Sequence, residues 1–130
     1  MPILVETNHN ESYYLAKWQG PITDDVLLKA YEDFFQSSEW VPGHDSLVDQ
    51  SELDATELTV SGMQSLQNLV RRTFAPHNIH PNIAVYAIDD LSYGLARMYS
   101  VWVEQFELHT VFRSKDEALK WLKEARCLKS

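Results

Sequence analysis

The sequence is short of cysteine and glycine, and each shortage excludes a class of protein. A single cysteine, Cys127, rules out an intramolecular disulfide within the chain and is typical of a protein from a reducing compartment. The four glycines build neither a GxGxxG loop nor a GxxxxGKS loop, and no GxSxG sequence occurs. We therefore do not expect a dinucleotide enzyme, a P-loop kinase or a serine hydrolase of the elbow type.

Positive charge and long apolar runs are scarce as well. The chain has 11 Lys+Arg against 19 Asp+Glu, a formal net charge of −8, which argues against binding to duplex nucleic acid or anionic lipid. No run approaches the roughly 18 apolar residues of a membrane span, and residues 1–10 lack the basic start of a signal peptide. We expect one cytoplasmic domain, residues 1–130, whose partner is a protein, an apolar small ligand or a second copy in a homodimer.

The first part of the chain predicts a hairpin followed by a helix. Residues 3–6 and 12–20 are separated by a turn-prone segment, and the second run is rich in aromatic residues with partial alternation. The pair therefore reads as an antiparallel hairpin. Thr23 then offers an N-cap, followed by acidic residues that suit the first turn of a helix. The predicted buried side of this helix consists of Leu27, Ala30, Tyr31, Phe34 and Phe35.

A short strand and a second helix are predicted next. Residues 44–49 form the strand, and the polar residues 50–60 a loop. Ser61 and Gln64 match a capping box, with Ser61 at the cap. Helical spacing continues through Met63, Leu66, Val70 and Phe74.

The last third predicts a strand, a long helix, a strand and a final helix. Residues 82–88 are nearly all apolar, which suits a central strand covered on both faces. Asp90 can cap a helix over 91–107, followed by a strand over 109–112 and a capping box at Ser114. The predicted stripe of the long helix consists of Leu91, Leu95, Met98, Trp102 and Phe106.

Strands that alternate with helices in this way predict a single-domain α/β fold. The order is ββαβαβαβα, and βαβ units build parallel neighbours. We expect a mixed, mostly parallel sheet of about five strands flanked by about four helices.

Polar residues near the predicted strand ends form a candidate binding site. Asp49, Asp89 and Asp90 follow two strands that we expect to be parallel neighbours, and ligands of open α/β sheets bind at the carboxyl edge. Ser51 and Ser61 would add hydroxyls on the same side. The alternative is that these residues only cap helices and shape turns, which explains the same residue types.

Further along, Tyr93 and Arg97 flank the apolar stripe of the long helix. Arg97 could bind an anionic group or an acidic partner, or cover the rim of the stripe with its aliphatic stem. His77 and His80 lie in a proline-bounded loop, and the four tryptophans are spread over the elements as core residues are. These patterns predict no metal site, no cofactor and no catalytic residue.

Four stretches resemble a known family. The strand ending Leu47-Val48-Asp49, and the segments IAVYAIDD, YGLARMY and TVFRSKDEALKWL, resemble the bacterial SpoIIAA-like family, which is grouped with STAS and Sec14-like domains. The resemblance implies a sheet flanked by helices. It also implies either regulation through phosphorylation of a serine at a helix start, or binding of lipids and other apolar ligands.

Only part of the phosphorylation motif is present. Ser61-Gly62-Met63 matches the end of the antagonist motif, but valine precedes the serine where that motif has aspartate. The resemblance thus implies Ser61 as the phosphoacceptor. The leading hypothesis is a non-enzymatic regulatory or binding module acting at the carboxyl edge of the sheet. The alternatives are an apolar-ligand binder with a pocket beside the long helix, and a small hydrolase that uses Asp49, Asp89 and a histidine.

Overall fold

The computed structural model describes residues 2–8, 11–104 and 108–129, the last four by their backbone only. Phe106 of the predicted stripe and the side chain of Cys127 lie outside the described residues. A short 3-10 turn at Ala75–His77 follows the second helix. The strands are β1 (Ile3–Asn8), β2 (Tyr13–Pro21), β3 (Asp45–Asp54), β4 (Asn82–Tyr86) and β5 (Leu108–Phe112); the helices are α1 (Asp24–Gln36), α2 (Val60–Phe74), α3 (Asp90–Trp102) and α4 (Lys115–Lys129).

The strands form one sheet in the order β1-β2-β3-β4-β5. Strands β1 and β2 are antiparallel, and every later pair is parallel. Each parallel strand is followed by a helix, because parallel neighbours need a crossover that the helix supplies. The predicted hairpin, element order and mostly parallel α/β sheet are confirmed.

The two faces of the sheet carry separate cores. Val48 belongs to a core beneath α1, α2 and α3, whereas its neighbour Leu47 belongs to a smaller core with Ala118 and Leu122 of α4. Successive strand residues point to opposite faces, so three helices lie on one side and α4 lies on the other. In the described residues, no helix is both long enough and apolar enough to cross a membrane.

Strand β3 is longer than the predicted strand. The loop predicted for 50–60 is wrong over 50–54, which continue β3. These residues pair with the end of β2, where Gln19 is opposite Glu52 and Gly20 is opposite Leu53 after a register shift. The polar composition of residues 50–54 predicted a loop, but backbone pairing with β2 stabilises them as a strand. Asp49 therefore lies at the end of the β3–β4 pairing, opposite Tyr86, and not at the end of β3 itself.

Two helix caps lie one or two residues before the predicted ones. Thr59, not Ser61, caps α2, accepting a hydrogen bond from the Gly62 N–H. Asp89, not Asp90, caps α3. Both predicted positions fall inside the first turn, where short polar residues are also common. The predicted caps at Thr23 and Ser114 are confirmed.

Helix α3 is shorter than predicted and buries a different face. It ends at Trp102, and β4 before it ends at Tyr86. The face toward the sheet consists of Ser92, Ala96, Tyr99 and Val103, whereas Leu91 is 47% exposed. Small residues at the first two of these positions let the helix approach the sheet. The other described members of the predicted stripe, Leu95, Met98 and Trp102, are half-buried at its side.

Candidate functional site

A cavity of about 90 Å³ lies between the sheet and the three helices α1, α2 and α3. Its floor is built by alternate strand residues, which share a face because side chains alternate along a strand. The floor residues are Ser46, Val48, Gln50, Ile83, Val85 and His109. The buried apolar face of α2 (Met63, Leu66, Val70 and Phe74) and residues Ala96 and Tyr99 of α3 close the cavity from above.

Aromatic residues form one side of this cavity, which we call the aromatic wall: Tyr31, Phe34, Phe35, Trp40 and Phe74. Three of them come from α1, because Tyr31, Phe34 and Phe35 recur at helical spacing. Phe35 meets Trp40 edge-on with ring centres 5.3 Å apart. The rings of Trp40 and Phe74 are nearly parallel, at an angle of 8°. The wall offers flat apolar surface suited to aromatic or aliphatic groups.

Two polar atoms of the floor are buried without a partner. In the part of the chain that the structure describes, neither Gln50 Oε1 nor His109 Nδ1 has a hydrogen-bond partner. Gln50 is only 5% exposed. His109 is half-buried as a whole, but its Nδ1 is enclosed. Burial of the imidazole lowers the pKa of His109 to about 3, so the ring is neutral at pH 7. Buried polar atoms are normally hydrogen-bonded, so these two atoms are available to a molecule that enters the cavity.

Two tyrosine hydroxyls of the lining already have partners. The Tyr31 hydroxyl accepts a hydrogen bond from Trp18 Nε1 at 3.2 Å. The Tyr14 hydroxyl accepts one from the Val41 N–H and donates to the Glu39 carbonyl at 3.1 Å. Among the described residues that line the cavity, none is Asp, Glu, Lys or Arg. The described lining is therefore mostly apolar and uncharged, and it contains two buried polar atoms that lack a partner.

The exposed part of the lining indicates where the cavity opens. Every half-buried lining residue lies on α1, in the loop after it, or at the second position of β3 or β5: Tyr31, Phe34, Phe35, Trp40, His44, Ser46 and His109. The rest of the lining is buried. The opening thus lies toward the amino ends of β3 and β5, with His109 beside it and Gln50 deeper.

None of the seven site residues predicted from the sequence lines this cavity. Asp49 is buried and accepts hydrogen bonds from the Ser51 N–H at 2.9 Å and the Ser51 hydroxyl at 2.6 Å. The two residues form a local side-chain contact within β3. Ser61 is exposed in the first turn of α2, and its carbonyl accepts a hydrogen bond from Ser65.

The other four predicted residues meet at the start of α3. Asp89 accepts hydrogen bonds from the Ser92 N–H and hydroxyl, both at 2.8 Å. Partial burial raises the pKa of Asp89, but these hydrogen bonds together lower it by more, so the pKa lies below its ordinary value. Asp90 pairs with Arg113 at 2.9 Å, and Arg97 donates to the Tyr93 hydroxyl at 3.4 Å.

Arg113 organises this cluster and was missed in the sequence. Its guanidinium carbon lies 4.0 Å from the centre of the Tyr93 ring, and its Nη1 donates to the Ile88 carbonyl at 2.7 Å. Among the described residues, no hydrogen bond or ion pair joins Asp49 to Asp89 or Asp90. The topology brings together the residues around Asp90, while Asp49 and Ser61 each form separate local contacts.

The described contacts do not join Asp49 and Asp89 to a histidine, as the hydrolase alternative would require. The hydrogen bonds of Asp49 and Asp89 go to serines, not to a histidine. Across the described residues, no group of three His, Cys, Asp or Glu side chains converges to hold a metal ion.

The cavity itself had a weak signal in the sequence. Gln50 follows Ser46 and Val48 at a spacing of two, but composition placed it in a loop. His109 stood at a strand start with nothing to mark it as buried.

Comparison with known proteins identifies the fold. No family model and no curated protein matches the chain. Among solved structures, it is similar to an uncharacterised protein of the DUF3478 family from Shewanella loihica PV-4, described as having a SpoIIAA-like fold. The two share 20% sequence identity, the match covers 92% of this chain and 91% of the other, and the TM-score is 0.56. This protein therefore has a SpoIIAA-like fold, as the resemblance implied.

Proposed function

We propose that this protein is a non-enzymatic binding module that holds a small apolar ligand between its sheet and helices α1 to α3. The observation that carries the proposal is an uncharged, aromatic-walled cavity with two buried polar atoms that have no partner among the described residues. Small-molecule sites have this character: mostly apolar lining with a few placed polar groups. The SpoIIAA-like fold is compatible with such a module but does not specify it.

The size of the cavity limits the ligand. An engineered apolar cavity of about 150 Å³ binds benzene, and this cavity measures about 90 Å³ but is open on one side. A single ring or a short chain fits, with part of the molecule at the opening near Trp40 and His44. Binding would be driven by removal of apolar surface from water against the aromatic wall.

Titration with toluene, followed by ¹H–¹⁵N NMR, tests this proposal. We expect shifts to concentrate on the floor and aromatic wall. Ser46→Leu, which fills the floor near the opening, should weaken toluene binding at least about tenfold because it removes ligand volume. Ser38→Leu, at an exposed position outside the lining, is the matched control and should leave binding unchanged. Absence of toluene binding to the wild-type protein, or shifts spread evenly over the surface, would overturn the proposal.

A second candidate is the predicted regulatory contact at the carboxyl edge. Ile88 and Leu91 are 51% and 47% exposed beside the Asp90–Arg113 pair, an apolar and charged combination suited to a protein contact. If this surface forms a homodimer, Leu91→Lys should convert it to a monomer in sedimentation velocity. Val101→Lys, at a position 64% exposed, should not. A wild-type monomer at high concentration would eliminate the homodimer.

Ser61 remains the proposed phosphoacceptor of that regulatory module. Its exposure in the first turn of α2 supports the proposal, since a phosphate is favoured near a helix N-terminus. Intact-protein mass spectrometry after incubation with kinases of the source cell should show one added phosphate, absent from Ser61→Ala. Modification of Ser65 instead of Ser61 would contradict it.

A further inference from the structure

We infer that the cavity selects uncharged ligands that carry a hydrogen-bond donor, and that Gln50 and His109 are the residues that recognise the polar part of such a ligand. The inference rests on the proposed function and adds the chemical class of the ligand. It depends on the identity, burial and position of two side chains on the cavity floor.

The amide oxygen of Gln50 is the reason why the ligand should carry a hydrogen-bond donor. Its Oε1 can only accept hydrogen bonds, and it is buried among apolar residues without a partner in the described structure. An apolar residue of similar size would fill the same place without leaving an amide unsatisfied. A ligand N–H or O–H would supply the missing bond, and a purely apolar ligand would not.

His109 determines the charge of the ligand. Because burial keeps its imidazole neutral, it offers no positive charge to an anion. The other titratable lining side chains are His44 and the tyrosines Tyr14, Tyr31 and Tyr99, all of which already have partners. A carboxylate or an ammonium group in the cavity would lose its hydration without gaining a counter-charge. An alcohol, phenol, amide or N–H heterocycle carries no net charge and so needs no counter-charge.

The sheet register separates the two polar atoms. Ile83 is opposite both Ser46 and His109, so His109 lies level with Ser46. Gln50 is four residues further along β3, roughly 13 Å in the strand direction. A one-ring ligand therefore meets one polar atom at a time. A longer apolar molecule with a polar group at each end reaches both, His109 near the opening and Gln50 at depth.

Phenol and toluene form a matched pair of probes, since they differ only by hydroxyl against methyl. Both are titrated into the wild type, Gln50→Leu, His109→Phe and the double variant, with NMR as the readout. We expect the phenol-to-toluene affinity ratio to fall about fivefold or more in the double variant, with toluene affinity unchanged or higher. Gln64→Leu and His80→Phe, the same substitutions outside the cavity lining, should preserve the ratio.

The outcomes separate the inference from the proposed function. If neither phenol nor toluene bound the wild-type protein, the proposed function would be wrong. Binding of both probes with the same ratio in the wild type and the double variant would keep the function and overturn the inference, because the two polar atoms would then be satisfied by water. Thermal unfolding checks folding, and the variants should fold because neither substitution breaks a hydrogen bond at the two unpartnered atoms.

Discussion

The carboxylate of Asp24, in the first turn of α1, accepts two hydrogen bonds from Thr59, the N-cap of α2. The Thr59 N–H donates to one oxygen at 3.0 Å, and the hydroxyl donates to the other at 2.6 Å. Gly62 lies directly beside this contact, so that a Cβ added there would come within 2.0 Å of Asp24 Oδ1. The contact joins the starts of α1 and α2, two of the three helices that cover the cavity.

Gly62→Ala should lower the free energy of unfolding by about 1 to 2 kcal/mol. The added methyl group displaces the Asp24 carboxylate from Thr59, although alanine favours a helix over glycine by about 1 kcal/mol. Gly94→Ala is the control, because a Cβ at this exposed helical position meets nothing within 4 Å. It should raise stability by up to about 1 kcal/mol. Urea unfolding measures both, and equal effects would contradict the close approach at Gly62.

Tyr14→Phe should destabilise the fold by about 1 to 2 kcal/mol. The buried Tyr14 hydroxyl holds the loop after α1 by accepting from the Val41 N–H and donating to the Glu39 carbonyl. Removing it leaves a backbone N–H without its partner and frees the segment that carries Trp40. Tyr86→Phe is the control, since no hydrogen bond of its hydroxyl is found in the described structure. A stability loss of the same size in both variants would contradict this role.

His109 should make stability fall with acid. Its folded pKa of about 3 is below the ordinary 6.5, so folding favours the neutral form. The contribution is complete above pH 6.5 and is lost as the pH falls toward 3. Relative to His109→Phe, the wild type should lose at most about 1.4 kcal/mol per pH unit in that window. Unfolding at a series of pH values measures the difference, and a flat difference between pH 6 and 4 would contradict the burial of the imidazole.

Arg113→Met should weaken the start of α3 by about 0.5 to 1 kcal/mol. The substitution keeps an apolar stem but removes the contacts with the Ile88 carbonyl, Asp90 and the Tyr93 ring. Part of the loss should disappear in 1 M salt, where the exposed Asp90 pair is screened. Lys29→Met, which breaks only an exposed helical ion pair with Asp33, should change stability by about 0.5 kcal/mol or less. Identical effects for the two variants would count against the cluster.

Local patterns predicted the elements well and their ends less well. Near neighbours in the chain determine the hairpin, the two confirmed caps and the stripe of α2. The sequence shows such local patterns directly. The extension of β3 to Asp54 depends on β2, which lies far away in the chain. The buried face of α3 depends on how closely small residues let it approach the sheet. Periodicity shows that a helix has an apolar side but does not resolve two adjacent stripes.

The contacts around Asp90 also divide into those between near neighbours in the chain and those between distant ones. Asp90, Tyr93 and Arg97 lie within two turns of one helix, so their proximity followed from the sequence. Arg113 joins them from the end of β5, 23 positions beyond Asp90, and only the folded chain shows that contact.

The sequence by itself determined the fold class, because element order and apolar spacing are enough to specify a mixed, mostly parallel sheet covered by helices. Only the tertiary structure decided where a ligand could bind. Gln50, His109 and Trp40 come from separate elements, and each is unremarkable among its chain neighbours. Packing alone buries one polar atom of each of the first two on the floor of one cavity, where neither atom has a partner in the described part of the chain.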